Sequence, residues 1–524
     1  MTRLRTVASV LALLASAAAL SAQSSPLQEG VNLIREGQFD QALVKLEAAH
    51  RLAPSNPAIE NFIGIAETQL GHIDEACNHY RNAIRLDPSQ TAPHRNLGFN
   101  LLTAKDYGGA EPELREALRL NPNDDFAHYY MLLLALATSR DAEAIEHASH
   151  AGQLSGKDPE VGAGLVEAYV RIGSVDDASK RIEQLEKANQ LPSAREFQIA
   201  VLLSRRAYYS QAVHCFRRIA SLDPSWQSRY NLSLALLFGG QPVEASTLLT
   251  TLLSEQPNNA DMLTFLGSAF ELQQKMPEAL EAYRAAAASD PSNPDRTLDY
   301  TRLLMDLDRY DEAIQVVHDG MEATSATGPL ELRLGAVEML KSNYTSARDA
   351  FHAALASDPE LDAAYVGLAQ TYSREANDSE AIRILEDARG KLPGHYPLEY
   401  YFGLLASRLG REAEAATALE KAAALEPNSP NPFYELGKLH VAQQEWPQAR
   451  KAFEHVIALN SQFAPAHYQL SRVYARLGLN AKAEREAKQT HMLVDTQRDE
   501  ALRRQRERAG SFQPQASANQ LLHP

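Results

Sequence analysis

The chain has 524 residues, 44% hydrophobic and 23% charged, a composition that excludes wholesale disorder. Its 51 Lys and Arg against 67 Asp and Glu leave a net charge of −16, which speaks against a nucleic-acid partner unless basic residues gather locally. Only Cys77 and Cys215 are present, far apart in sequence, so a disulfide framework is excluded and stability must come from packing.

The N-terminal segment places Arg3 and Arg5 before an apolar run from Val7 to Leu20, followed by small residues. That is the layout of a secretory signal peptide over residues 1–22, with Leu20-Ser21-Ala22 as the cleavage site. The alternative, a retained membrane anchor, needs a run of roughly 20 apolar residues, and this one is short. No cysteine follows it to carry a lipid, and no later segment is apolar enough to span a bilayer. The mature chain is therefore expected in an exported compartment, periplasmic or secreted.

From residue 23 onward one period governs the sequence. Alanines recur every 34 residues at Ala42, Ala76, Ala110, Ala144, Ala178 and Ala212. One step of 33 leads to Ala245, after which steps of 34 resume through Ala279, Ala313, Ala347, Ala381, Ala415 and Ala449 to Ala483. Twelve residues before these marks stand Gly30, Gly64, Gly98, Gly267, Gly335, Gly403 and Gly437; twelve after them stand prolines such as Pro54, Pro88, Pro122, Pro291 and Pro427. Within one unit, Thr91 to Asp124, two apolar runs at helical spacing flank a break at Asp106-Tyr107-Gly108-Gly109, and Pro122 stops the second run. The pattern predicts a helical hairpin: Gly98 and Ala110 let two helices approach, and Leu97, Leu101, Leu114 and Ala117 fill the seam. One hairpin cannot bury its own apolar faces, so the units are expected to stack.

The units around Ala144, Ala178 and Ala313 lack both the glycine and the proline, which leaves their geometry open. Three stretches interrupt the pattern: Ser155 to Pro159, Gln190 to Pro192 and Thr324 to Pro329. Because the alanine period survives them, they read as longer turns between units, with a hinge near Gly328 as the open alternative. Beyond Ala483 the helical pattern continues into a highly charged segment, residues 491–509, suited to a terminal capping helix, and residues 510–524 read as a disordered tail.

These marks resemble those of the tetratricopeptide repeat family. One unit shows Leu266-Gly267, Phe270, Ala279, Tyr283, Ala286 and Pro291, and the last shows Tyr474, Gly478 and Ala483. The resemblance covers residues 23–490 and suggests an exported bacterial member of that family. It implies an all-α, right-handed superhelical solenoid of about 14 antiparallel helix-turn-helix units, with a concave groove lined by the first helices that binds peptide or protein segments.

No phosphate-binding glycine loop, HExxH helix, GxSxG elbow or CxxC pair occurs. The expectation is a non-catalytic interaction scaffold with no cofactor and no metal. His147 and His150 lie three apart on one helix, but two histidines without a third ligand read as a solvated face. By family analogy the groove positions of the last units carry Tyr400, Tyr434 and Tyr468, repeating at 34, with Arg374, Arg408, Lys438, Arg472 and Arg476 around them. Tyrosine offers stiff contact area and arginine binds carboxylates bidentately, which predicts a protein or peptide partner carrying acidic groups or a free C-terminus. Packing tyrosines and scattered solvating cations are the plain alternative. A second functional reading is a regulatory or assembly subunit of a cell-envelope secretion or polysaccharide-export machine with a catalytic partner. The chaperone-tail clamp of the family is not matched, since Asn96 has no basic partners on the next unit, nor is the asparagine ladder of its sugar-transferase arrays, where only Asn96 and Asn231 fit. Oligomeric state is left open.

Overall fold

The computed structural model describes residues 25–511, so the expected leader and the tail beyond Ser511 lie outside the described residues. Among those described are 29 helices and no strands, as the period predicts. They fall into two compact blocks, one up to Gln241 and one from Pro242. That division lies beside the single 33-residue step of the alanine period and not near Gly328.

The first block stacks six hairpins and two further helices. Repeat 3 pairs Thr91–Thr103 with Tyr107–Leu120, repeat 4 pairs Asp125–Ala137 with Asp141–His150, and repeat 5 pairs Pro159–Ile172 with Val175–Lys187. Repeat 6 pairs Ser193–Arg205 with Tyr209–Leu222, and Trp226–Phe238 ends the block. The interruption at Ser155 is a short helix, Leu154–Lys157, between repeats 4 and 5; the stretch at Gln190 is an irregular turn between repeats 5 and 6. The second block opens with Pro242–Glu255 and stacks seven hairpins. Repeat 11 pairs Asp362–Arg374 with Asp378–Lys391, repeat 12 Tyr396–Arg408 with Glu412–Leu425, and repeat 13 Pro430–Ala442 with Trp446–Leu459. Repeat 14 pairs Ala464–Arg476 with Asn480–Ser511, an uninterrupted 32-residue helix that includes the charged segment.

The in-phase alanines sit where the two helices of a repeat cross. Each from Ala42 to Ala449 is fully buried. The glycine mark opposite them is explained by contact. A Cβ at Gly98 would lie 2.6 Å from Leu114 Cγ, and one at Gly437 2.6 Å from Phe453 Cε1. The bulky side chain four residues after the alanine thus lies directly on the first helix, which glycine alone permits.

The repeats without that glycine find other solutions. In repeat 4 the volumes are exchanged: Leu132 stands at the glycine position, fully buried, and Ala148 stands where Leu114 stands in repeat 3. In repeat 5 the close approach moves to Gly162, whose Cβ would meet Leu185 at 2.7 Å. In repeat 9, which pairs Pro294–Asp306 with Tyr310–Ala323, it moves to Gly320 on the second helix, where a Cβ would meet Thr297 at 2.7 Å. In repeats 5 and 9 the tight crossing is kept at another glycine, and in repeat 4 the large and small residues change places.

The turn inside each hairpin is also uniform. Five residues before every in-phase alanine the backbone is left-handed, from Gly37 to Gly478, including non-glycine residues such as Lys105, Ala207 and Ala376. The following amide reaches back to the first helix, as Asp106 N–H does to the Leu101 carbonyl at 2.8 Å, satisfying its end. Cys77 and Cys215 are buried free thiols in separate repeats, as expected.

Candidate functional site

The first helices of repeats 11 to 14 lie side by side within the second block and present one face. Their sequence puts Tyr400, Tyr434 and Tyr468 at equivalent positions on that face, but their surroundings differ. Tyr400 is half-buried, its ring nearly parallel to Tyr396 at 5.7 Å and edge-on to Tyr401 at 5.4 Å. Burial, with Glu435 nearby, pushes its hydroxyl pKa up. Tyr434 packs between Phe453 and Phe463, at 5.8 and 5.2 Å between ring centres. Tyr468 is 51% exposed. Two tyrosines of the ladder therefore fill space between repeats, and the third meets solvent.

The cations divide in the same way. Arg408 is ion-paired to Asp378 of the preceding repeat and donates to Ser373 Oγ at 2.7 Å. Lys438 pairs with Glu435 at 2.7 Å and lies 5.6 Å above the Tyr434 ring. Arg472 lies 5.8 Å above the Tyr468 ring and donates to Gln469 at 3.4 Å. Arg476 lies 5.9 Å above the Trp446 ring. Arg374 is exposed at the end of its helix. Among the described residues Arg374, Arg472 and Arg476 have no carboxylate partner. The structure thus gathers Tyr468, Arg472 and Arg476 on one exposed stretch of a single helix and engages Tyr400, Tyr434, Arg408 and Lys438 internally.

Trp446 is the residue that the sequence reading missed, and a signal for it exists. Arg171 and Arg408 each pair with an aspartate thirty residues earlier, Asp141 and Asp378. Thirty residues before Arg374 and Arg476 stand Tyr344 and Trp446, aromatic residues that cannot neutralise a guanidinium. A further cation without a carboxylate partner among the described residues, Arg333, lies half-buried on the first helix of repeat 10, Gly328–Leu340, and donates to Met305 Sδ at 3.7 Å. Burial, with Arg302 beside it, lowers its pKa. Arg302 by contrast is held by Glu271 at 2.6 and 2.9 Å.

His147 and His150 gather a third ring. His128 Nδ1 faces His147 Nδ1 at 2.9 Å, and its ring stacks on His150 at 4.8 Å. The same pair of positions holds His94 with Glu113 in repeat 3 and His467 with Glu486 in repeat 14, both at 2.6 Å. The contact is a polar clasp within the hairpin, and among the described residues no group of three His, Cys, Asp or Glu is arranged to hold a metal ion. Among them, too, no helix is long and apolar enough to cross a membrane.

Models described as tetratricopeptide repeat match residues 61–90, 230–294, 272–326, 339–408 and 434–489. The chain is similar to the Bos taurus BBSome complex member BBS4, 23% identical over 307 residues, 51% of this chain and 58% of that relative, so it spans little more than half the relative's length. Among solved structures it is similar to yeast Tom70, at 15% identity and TM-score 0.38, over 80% of this chain and 95% of that one. It is also similar to a tetratricopeptide repeat protein from Parabacteroides merdae, at 21% identity and TM-score 0.38, over 47% of this chain and 98% of that one.

Proposed function

We propose that this tetratricopeptide-repeat protein is a non-catalytic scaffold that grips a protein or peptide segment on the face formed by the first helices of its last repeats. The observation that carries the reading is the exposed Tyr468 with Arg472 and Arg476 beside it, both guanidiniums without a carboxylate partner, in a chain of net charge −16. An acidic protein that leaves cations unpaired along one helix face offers them to an outside anion. A guanidinium takes a carboxylate bidentately, and the adjoining aromatic rings supply rigid apolar contact. The partner segment carries acidic side chains or a free C-terminus. The description of its relative as a complex member supports a role within an assembly. The apolar segment after Arg3 and Arg5 supports export to a periplasm or beyond.

The reading is tested with fluorescent peptides that are acidic, neutral or basic, each with a free or an amidated C-terminus, against wild type and Tyr468→Ala/Arg472→Gln. Acidic or free-carboxylate peptides should bind wild type best and lose about tenfold or more in the variant, the scale of one charge-assisted bond plus an aromatic contact. Equal binding by the two proteins overturns the assignment.

A further inference from the structure

The irregular turn between repeats 5 and 6, Gln190 to Pro192, borders an open surface cavity of about 360 Å³ on the first block. Its lining mixes apolar Pro159, Leu191, Pro192 and Leu222 with polar Asn189, Gln190 and Ser193, and the one charged side chain is Arg218. Leu222 is 59% exposed, an apolar side chain left to solvent at the cavity edge. Ser193, also lining it, begins the 13-residue helix Ser193–Arg205, whose first turn has no side-chain cap.

Arg218 is anchored from behind. One of its terminal nitrogens is paired to Glu196 Oε2, while Glu196 is fully buried and its Oε1 has no hydrogen-bond partner. A buried carboxylate that has lost its water and gained only one bond is stabilised by taking a proton, and a neutral Glu196 leaves the Arg218 charge uncompensated and open to an outside anion. We infer that this cavity binds a small organic anion, a carboxylate carried on a short apolar body, with the Arg218 guanidinium taking the charge and Leu191, Pro192 and Leu222 covering the body.

The groups facing Glu196 are Arg218, His214 and Cys215 from the second helix of repeat 6, and Glu186 from the second helix of repeat 5, which is itself bonded to His214 at 3.1 Å. Burial raises the Glu196 carboxyl to about 7 against the pull of Arg218. A second anion on Arg218 raises it further, since two carboxylates sharing one cation repel, and a proton on Glu196 relieves that repulsion. Binding is therefore coupled to proton uptake, and the anion is held more tightly as the pH falls from 8 to 6.

Calorimetric titration of the full-length chain with octanoate tests this, with inorganic phosphate as the anion lacking an apolar body. Octanoate should bind wild type saturably, one per chain, several-fold more tightly at pH 6 than at pH 8, and more tightly than phosphate. Arg218→Gln should lose about tenfold in affinity, and Glu196→Gln should bind with no pH dependence. Leu222→Asn, at an exposed position that leaves the ion pair intact, should also weaken octanoate, and it decides the matter if circular dichroism shows Arg218→Gln unfolded. Absence of octanoate binding, binding by Leu222→Asn equal to wild type, or phosphate binding as tight as octanoate's overturns the inference.

Discussion

The clearest test of how the hairpins are built is a pair of changes in repeat 3. Gly98 lies inside the helix Thr91–Thr103, and a methyl there would sit 2.6 and 2.7 Å from Leu114 Cγ and Cδ2 and 3.3 Å from the Ala110 carbonyl oxygen. Overpacking of this kind costs about 1–3 kcal/mol. Alanine regains about 1 kcal/mol over glycine in a helix interior, so Gly98→Ala should be destabilising by roughly 1 kcal/mol net. Leu114 is fully buried, and Leu114→Ala alone should cost about 2–5 kcal/mol through lost burial and the cavity left behind. In the double variant the new methyl enters the vacated space, so the clash disappears and the helix gain remains. The two changes should couple by about 1–2 kcal/mol in the favourable direction. Repeat 4, with Leu132 opposite Ala148, is a natural instance of the exchanged volumes. Urea unfolding by far-ultraviolet circular dichroism gives the global cost, and native-state hydrogen exchange of the repeat 3 amides gives the local one, which matters because stacked repeats can open piecewise. Additive costs within about 0.3 kcal/mol, or a stabilising Gly98→Ala, would show that the glycine mark has another cause.

Glu196 makes the stability of the first block depend on pH. Its folded value, about 7, lies above the ordinary glutamate value, so the folded state takes up a proton that the unfolded chain does not, and stability should fall as the pH rises from 5 through 7. Glu196→Gln should flatten that slope in urea midpoints measured across the range; an unchanged slope refutes the assignment. Asp378→Asn should release Arg408 to the face of the last repeats, tightening acidic peptides a few-fold in the fluorescent-peptide binding test. The stability cost should stay below about 1 kcal/mol for an ion pair with an exposed partner, and a variant that binds no better removes free arginines as the basis of recognition.

The fold was legible because one requirement, a small residue where two helices cross, recurs at a fixed period, and every repeat meets it at the alanine. The glycine mark was less reliable since it belongs to a pair of residues: volume can be exchanged across the crossing, as in Leu132 and Ala148, or the contact moved, as at Gly162 and Gly320. The site was legible in residue type and not in availability, for the same reason one period further out. Tyr434 is covered by Phe463 of the next repeat, and Arg408 is neutralised by Asp378 of the previous one. A residue on a stacked face is free or spent according to what stands about thirty positions away. Arg171 and Arg408 are neutralised by an aspartate thirty residues earlier, whereas Arg374 and Arg476, with an aromatic residue there, have no carboxylate partner among the described residues.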